Sequence, residues 1–388
     1  MVPAFNISKK AYPLVTTHEF KSIFMNRLFP LPLYTFLKIT CENGGVSVKK
    51  LKNITPWLIK TILFEPVRWA ELAIYNQKIN QHRIIKHPLF ILGYYRSGTS
   101  YLHQCLVQDD RFGYHTNFQM VLPEVMLSSE KALLPVFEFI CRFFKLTDSV
   151  HRVPLSFRFP GEEDTTMTTY VDPRGAQWGY FFPNMMDEQF KKYVLFENIS
   201  IYEMEAWKQS FIFLIKKISL ANYQKRLVLK STPNMARIKL ILSIFPNAKF
   251  IFIHRNPYHV YASNKQFWRV VQQKFALKSV KSVDINSIIL DTYSQIMRRY
   301  LQDKDLVPNG QLTEMSYDDF VQNPVESLRN AYEVLELDDF GYCEYKMKLF
   351  TALQQKFVPL KHELSESERR IVSEKLEPFL RYWKYKLL

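Results

Sequence analysis

The chain has 388 residues, 47% hydrophobic and 15% aromatic, and 52 Lys+Arg outweigh 37 Asp+Glu for a net charge of +15. This composition can bury a sizeable core and excludes a disordered or low-complexity protein. The basic balance suits an anionic ligand, an acidic membrane surface or nucleic acid, and charge alone does not choose among them.

Residues 1–86 read as mainly helical, with a turn at Gly44-Gly45. Met1-Val2-Pro3-Ala4-Phe5-Asn6 lacks the basic and apolar regions of a secretory signal. The longest apolar stretch, Ile54 to Ala73, is interrupted by Lys60, Glu65, Pro66 and Arg68, so no spanning helix is expected. With Phe20, Phe24, Leu28, Phe29, Leu33, Tyr34 and Phe36 upstream, this region is rich in bulky apolar and basic residues. It is expected to pack on the core; the alternative is that it lies on a membrane surface.

The apolar run Pro88-Leu89-Phe90-Ile91-Leu92 precedes Gly93-Tyr94-Tyr95-Arg96-Ser97-Gly98-Thr99-Ser100. Leu102, Cys105 and Leu106 then fall on one helical face. The order strand, glycine-bracketed loop, helix aims backbone N–H groups and a helix N-terminus at one spot, which suits a phosphate. A Walker A loop places Lys and then Ser/Thr after its last glycine. Here Thr99 and Ser100 follow Gly98 directly, and the cation, Arg96, lies inside the loop. That difference argues against the Lys- and Mg²⁺-based chemistry of a nucleoside triphosphatase.

A second strand is expected over Phe112 to Thr116, and residues 120–222 are expected to be largely helical, with helices near Leu133 to Phe144 and Trp207 to Leu220. Trp178, Tyr180, Phe181 and Phe182 form an aromatic cluster there, expected chiefly to pack the core. Arg226-Leu227-Val228-Leu229-Lys230 reads as a buried strand ending in Lys230-Ser231-Thr232-Pro233-Asn234. Lys249-Phe250-Ile251-Phe252-Ile253-His254-Arg255 is another apolar strand ending on a cation. Asn256 is the expected N-cap, and Pro257 the first residue, of a helix that carries Ser263 eight residues beyond Arg255. Arginine grips phosphate bidentately. The glycine loop and the basic strand end therefore describe a nucleotide phosphorylated at two places. A last strand fits Gln311 to Ser316, and Ser365-Glu366-Ser367-Glu368 has the pattern of a capping box. Strands alternating with helices predict a mostly parallel α/β sheet with its site at the strands' carboxyl ends.

The loop from Tyr94 to Ser100 resembles the 5′-phosphosulfate loop of the sulfotransferase superfamily, in particular its broad bacterial-type family. Arg255-Asn256-Pro257 through Ser263 resembles the 3′-phosphate motif of that family, with the same arginine-to-serine interval. Lys230-Ser231-Thr232-Pro233 is similar to the lysine-bearing strand end between those motifs. Met315 to Phe320 with Asn323-Pro324 is similar to a later element. The resemblance runs from about His87 to Pro324. It implies a P-loop-like sulfotransferase fold, a mostly parallel central sheet flanked by helices, with helical terminal additions. It also implies transfer of a sulfuryl group from 3′-phosphoadenosine 5′-phosphosulfate (PAPS), without a metal, to a hydroxyl or amine of a small molecule, glycan or lipid.

On that reading Arg96, Ser97, Gly98, Thr99 and Ser100 bind the donor's phosphosulfate, Arg255 and Ser263 bind its 3′-phosphate, and Lys230 meets the bridging oxygen. Three positions compete for the general base: Glu124 first, then His115, then Glu163 within Glu162-Glu163-Asp164. Expected segments are an N-terminal helical extension (1–86), a nucleotide-binding and catalytic core (87–330) and a helical C-terminal segment (331–388). Four widely spaced cysteines without a CxxC pair fit a reducing cytoplasm, with the N-terminal region as a contact to the inner face of a membrane. No nucleic-acid module is present in the sequence. The two rival readings are a P-loop nucleotide kinase or NTPase and a non-catalytic basic protein of the membrane surface.

Overall fold

The structure is a computed structural model that describes residues 33–147, 154–171, 175, 177–278, 284–354 and 363–388. Phe20, Phe24, Leu28 and Phe29 lie outside the described residues.

Five strands form one sheet: β1 (Leu89–Leu92), β2 (Phe112–Tyr114), β3 (Arg226–Lys230), β4 (Lys249–His254) and β5 (Leu312–Ser316). All pair in parallel, in the order β2-β3-β1-β4-β5. All four residues of β1 are buried, as a parallel strand covered on both faces requires. Side chains alternate between two cores. Phe90, Leu92, Leu227, Leu229, Phe250 and Phe252 point to one face. Leu89, Ile91, Val228, Ile251 and Ile253 point to the other.

The first face is covered by the helices Ile201–Ala221, Pro257–Phe275, Ile285–Asp303 and Glu366–Tyr382. The C-terminal helix starts on a complete Ser365/Glu368 capping box and buries Val372, Leu376, Phe379 and Leu380 in the core shared with β1 and β4. The second face is covered by Thr99–Leu106, Pro324–Val334 and Gly341–Gln354. The second strand is shorter than expected, because Thr116 leaves the ladder to cap the helix Asn117–Val121 through a capping box with Gln119.

The chain leaves β1 toward β2 and β3 but leaves β3 toward β4 and β5. Connections from adjacent strands thus run opposite ways, and a crevice opens at their carboxyl ends. Into it run the loop after β1, Lys230 at the end of β3, and Arg255 just past β4.

The helix Leu51–Gln81 lies outside this core. It is anchored by a buried ion pair, Glu71 to Lys217 at 2.9 Å, and by Ile54, Thr61 and Ile79 turned inward. Among the described residues no helix is long and apolar enough to cross a membrane.

Candidate active site

The loop after β1 is shaped by two glycines that nothing larger replaces. A Cβ on Gly93 would stand 2.5 Å from Thr99 Cγ2 and 2.9 Å from the Ile253 carbonyl oxygen. Gly98 has φ +99°, and its Cβ would stand 2.4 Å from the Tyr317 ring. Arg96 adopts φ 70°, a left-handed conformation uncommon for a residue with a side chain and concentrated at functional sites. Ser97 is fully buried, and its backbone N–H closes a turn onto the Tyr94 carbonyl at 3.1 Å. Among the described residues its hydroxyl meets no hydrogen-bond partner. The helix Thr99–Leu106 starts directly on the loop.

The loop is tied to the tip of β4. Arg96 Nε donates to Ser263 Oγ at 3.0 Å, and Arg255 Nη1 donates to the Arg96 carbonyl at 3.2 Å. Arg255 lies over the Tyr317 ring, 4.2 Å from its centroid, and its buried Nε has no acceptor among the described residues. Asn256 caps the following helix, accepting from the Tyr258 N–H at 3.0 Å, with Pro257 in its first turn. The loop after β1 and the helix after β4, 167 residues apart in sequence at Arg96 and Ser263, thus meet directly.

At the tip of β3, Lys230 is buried and pairs with Glu162. Its backbone N–H donates to Glu163 at 3.2 Å, and Asn234 donates to the other Glu163 oxygen at 2.6 Å. Burial drives the Glu163 carboxyl up to about 7, and the neighbouring Asp164 and Glu162 carboxylates push the same way. Ser231 Oγ accepts from the Asp164 N–H at 3.2 Å, and Asp164 in turn binds Arg237 at 2.6 Å. All three acids of the 162–164 trio therefore lock onto the end of β3 and the segment after it. Glu163 has both oxygens engaged inside the protein; Glu162, on the Lys230 ammonium, keeps 30% of its side chain exposed.

His115 and Glu124 sit in other surroundings. His115 is fully buried, with Nδ1 3.2 Å from Gln119 Oε1 and Nε2 2.8 Å from Thr166 Oγ1, and burial lowers it to about 4. Glu124 is buried in the short turn Pro123–Val125. Lys217 donates to the Pro123 carbonyl at 2.7 Å and to the Tyr170 hydroxyl at 3.0 Å. Burial raises the Tyr170 pKa, and the nearby Glu124 and Glu71 carboxylates add to the rise. Glu124 thus neighbours the buried Lys217–Glu71 pair that anchors the helix Leu51–Gln81.

An aromatic wall joins the loop to the acids. Tyr95 and Tyr180 share a hydrogen bond between hydroxyls at 2.9 Å. Tyr95 stacks on Phe267 at 5.5 Å, and Trp268 meets Tyr180 edge-on at 5.3 Å. Burial raises the pKa of both phenols, and the carboxylates of Glu162 and Asp164 add to the effect in each. Of the aromatic cluster seen in the sequence, Tyr180 faces this wall, Phe181 and Phe182 pack against Phe36, Ile39 and Ile54, and the side chain of Trp178 lies outside the described residues. Spacing in the sequence gave no sign of the Tyr95–Tyr180 pair, of Asn234 as a partner of Glu163, or of Tyr317 beneath Arg255.

These residues fit a phosphorylated nucleotide. The buried Ser97 hydroxyl and Arg255 Nε are donors without an acceptor among the described residues, and a buried donor normally has one. Glycine at 93 and 98 lets backbone approach a ligand closely.

A sequence model of the Sulfotransferase family matches residues 88–341. The chain belongs to this sulfotransferase family. Among relatives, the omega-hydroxy-beta-dihydromenaquinone-9 sulfotransferase Stf3 of Mycobacterium bovis and that of Mycobacterium tuberculosis are each 27% identical over 306 residues, covering 79% of this chain and 77% of theirs. Among solved structures, sulfotransferase STF9 from Mycobacterium avium superposes with a TM-score of 0.67 at 17% identity, covering 92% of this chain and 98% of that one. Sulfotransferase STF1 from Mycobacterium tuberculosis gives 0.65 at 16%, covering 92% of each. The family and its relatives make the chain a sulfotransferase, and the solved structures share its fold.

Proposed function

We propose that the protein moves a sulfuryl group from PAPS to a hydroxyl of an apolar lipid acceptor. The observation that carries this reading is the direct contact of the loop with Arg255 and Ser263, which sets two anion-binding elements side by side. The loop amides, Ser97 and Arg96 hold the 5′-phosphosulfate, and Thr99 and Ser100 add hydroxyls at the helix N-terminus. Arg255 and Ser263 hold the 3′-phosphate, which distinguishes PAPS from a nucleotide lacking it.

Sulfuryl transfer, like phosphoryl transfer, is mostly positioning and stabilisation of charge on the leaving oxygen. PAPS supplies the activated group. Lys230 turns from Glu162 toward the oxygen where charge develops. Glu163, held by the Lys230 N–H and by Asn234, fixes the tip of β3 and so aims Lys230. We place the general base at Glu162, beside Lys230 and open to solvent on one side, ahead of its neighbour Glu163 and of His115 and Glu124, which lie in closed networks. Tyr95 and Tyr180 wall the acceptor.

A lipid acceptor is favoured because Stf3 is named for a menaquinone-derived one and because the wall beside Glu162 is aromatic. The four cysteines are free thiols, the usual state in a reducing compartment, and the proposal keeps the protein in the cytoplasm. Incubation with sulfur-radiolabelled PAPS and a total lipid extract tests the reading. A labelled lipid, absent when Lys230 is replaced by alanine, is the expected product. Donor binding without any labelled lipid would refute the lipid acceptor, and Mg²⁺-dependent ATP hydrolysis without nucleotide sulfotransfer would favour the kinase reading.

A further inference from the structure

The helix Leu51–Gln81 packs on the core along one side only. On the other side every exposed residue described from 59 to 74 is apolar. The large ones are Ile59, Ile62, Leu63, Val67, Trp69 and Ile74, with Leu63 at 66% and Trp69 at 61% exposure. Through Phe64 it reaches the small core of Phe118, Val121 and Phe157, on which the helix Glu130–Phe143 also packs through Leu133, Phe137 and Ile140. This second helix also exposes large apolar groups: Val136, Phe139 at 66% and Phe143 at 69%. Side chains of this size, exposed on two helices that pack on one small core, mark an interaction surface.

The charges around the face are sorted by sign. The acids of both helices turn inward. Glu71 binds Lys217, Glu130 accepts from Gln119 and Thr116, and Glu138 accepts from Ser156 and the Phe157 N–H. Glu65 is neutralised by Arg68, whose guanidinium lies over Trp69. The cations point out: Lys131, Arg142 and Lys145 are exposed, with Arg142 3.9 Å from Glu138. An apolar face with a basic rim is complementary to an anionic lipid surface, where apolar groups insert and cations meet headgroups.

The helix Leu33–Glu42 and the start of Leu51–Gln81 lead to the site. Phe36, Ile39 and Ile54 pack with Phe181, Phe182 and Tyr180, and the Tyr180 hydroxyl reaches Tyr95 in the loop. We infer that the exposed apolar faces of the helices Leu51–Gln81 and Glu130–Phe143 dock the protein on an anionic lipid bilayer. The docking stands on exposure and charge; only its purpose, delivery of a lipid acceptor, rests on the proposed function.

Cosedimentation of the full chain with phosphatidylcholine vesicles, with and without phosphatidylglycerol, tests this inference. The parent should pellet with the anionic vesicles and lose at least tenfold in partitioning when phosphatidylglycerol is omitted or salt is raised. A Leu63→Ser, Trp69→Ser, Phe139→Ser variant should lose at least tenfold on anionic vesicles while binding 3′-phosphoadenosine 5′-phosphate (PAP) as the parent does. A Tyr345→Ser, Leu349→Ser variant, changed at exposed apolar groups on the helix Gly341–Gln354, should pellet like the parent. A parent that stays in the supernatant, or a triple variant that pellets equally, would overturn the inference. So would light scattering that shows a parent dimer made monomeric by the triple variant, because the face would then be covered by a second copy. Since PAP binding is read separately, failure of the docking and failure of the sulfotransfer reading are distinguishable.

Discussion

Arg96 and Ser263 join across the crevice, Nε to Oγ at 3.0 Å, and tie the glycine loop after β1 to the helix after β4. A ligand spanning the loop and that helix would meet two elements already joined. Preorganisation of this kind lowers the ordering cost of binding.

Arg255→Ala should weaken PAP binding by about 10- to 100-fold, the scale of a lost hydrogen bond to a charged group. Binding of adenosine 5′-phosphate should change little, because that ligand has no 3′-phosphate to lose. Calorimetry with both nucleotides checks this; equal losses would remove Arg255 from 3′-phosphate recognition.

Lys230→Ala should lower kcat by about 100-fold or more while the Kd for PAP stays within a few-fold, as for a contact made mainly in the transition state. Glu162→Gln should also lower kcat by about 100-fold or more. Glu124→Gln should leave kcat within a few-fold and lower Tm instead, because Glu124 belongs to the buried surroundings of Lys217. The reverse outcome, with activity following Glu124, would move the base away from the tip of β3.

Much of this site was legible in the sequence because it is local. A glycine loop between a strand and a helix, a lysine ending one strand and an arginine following another are each read within ten residues, and parallel pairing then carries their tips to one edge. The acidic trio was visible but its connections were not. Glu163 reaches the Lys230 N–H across 67 residues and Asn234 across 71, and no periodicity encodes such contacts. Glu124 stood out by its place after a strand, yet the turn at Pro123–Val125 and the Lys217 ammonium turn that segment toward the N-terminal helix. The exposed face of Leu51–Gln81 was blurred for a related reason. Its charged residues Glu65, Arg68 and Glu71 are paired or buried, so apolar groups appear on every side of the helix.

Gly98→Ala should cost a few degrees of Tm and at least tenfold in PAP affinity. The positive φ of 99° strains any Cβ, and the added methyl would push the Tyr317 ring from beneath Arg255. A thermal melt and a PAP titration check both; unchanged affinity would show that the loop tolerates reshaping.

Stability should fall on acidification between about pH 6.5 and 4. Burial lowers His103 to about 3 and His115 and His254 to about 4, from 6.5. Protons then bind the unfolded chain more readily, so the stability these neutral rings contribute is complete above 6.5 and is lost as pH falls toward 4. Glu163 has the opposite sign. With its pKa raised from 4.5 to about 7, its contribution is complete below 4.5 and is lost as pH rises to 7. Three histidines outweigh one glutamate. His115→Gln should flatten the Tm–pH curve over this window and Glu163→Gln should steepen it; curves parallel to the parent's would contradict the burial of these groups.

The most direct test is calorimetric titration of the unmodified protein with PAP and with adenosine 5′-phosphate. The account predicts saturable binding of PAP at one site, at least tenfold tighter than binding of the nucleotide without the 3′-phosphate. No heat with PAP, or equal affinity for the two, would contradict it.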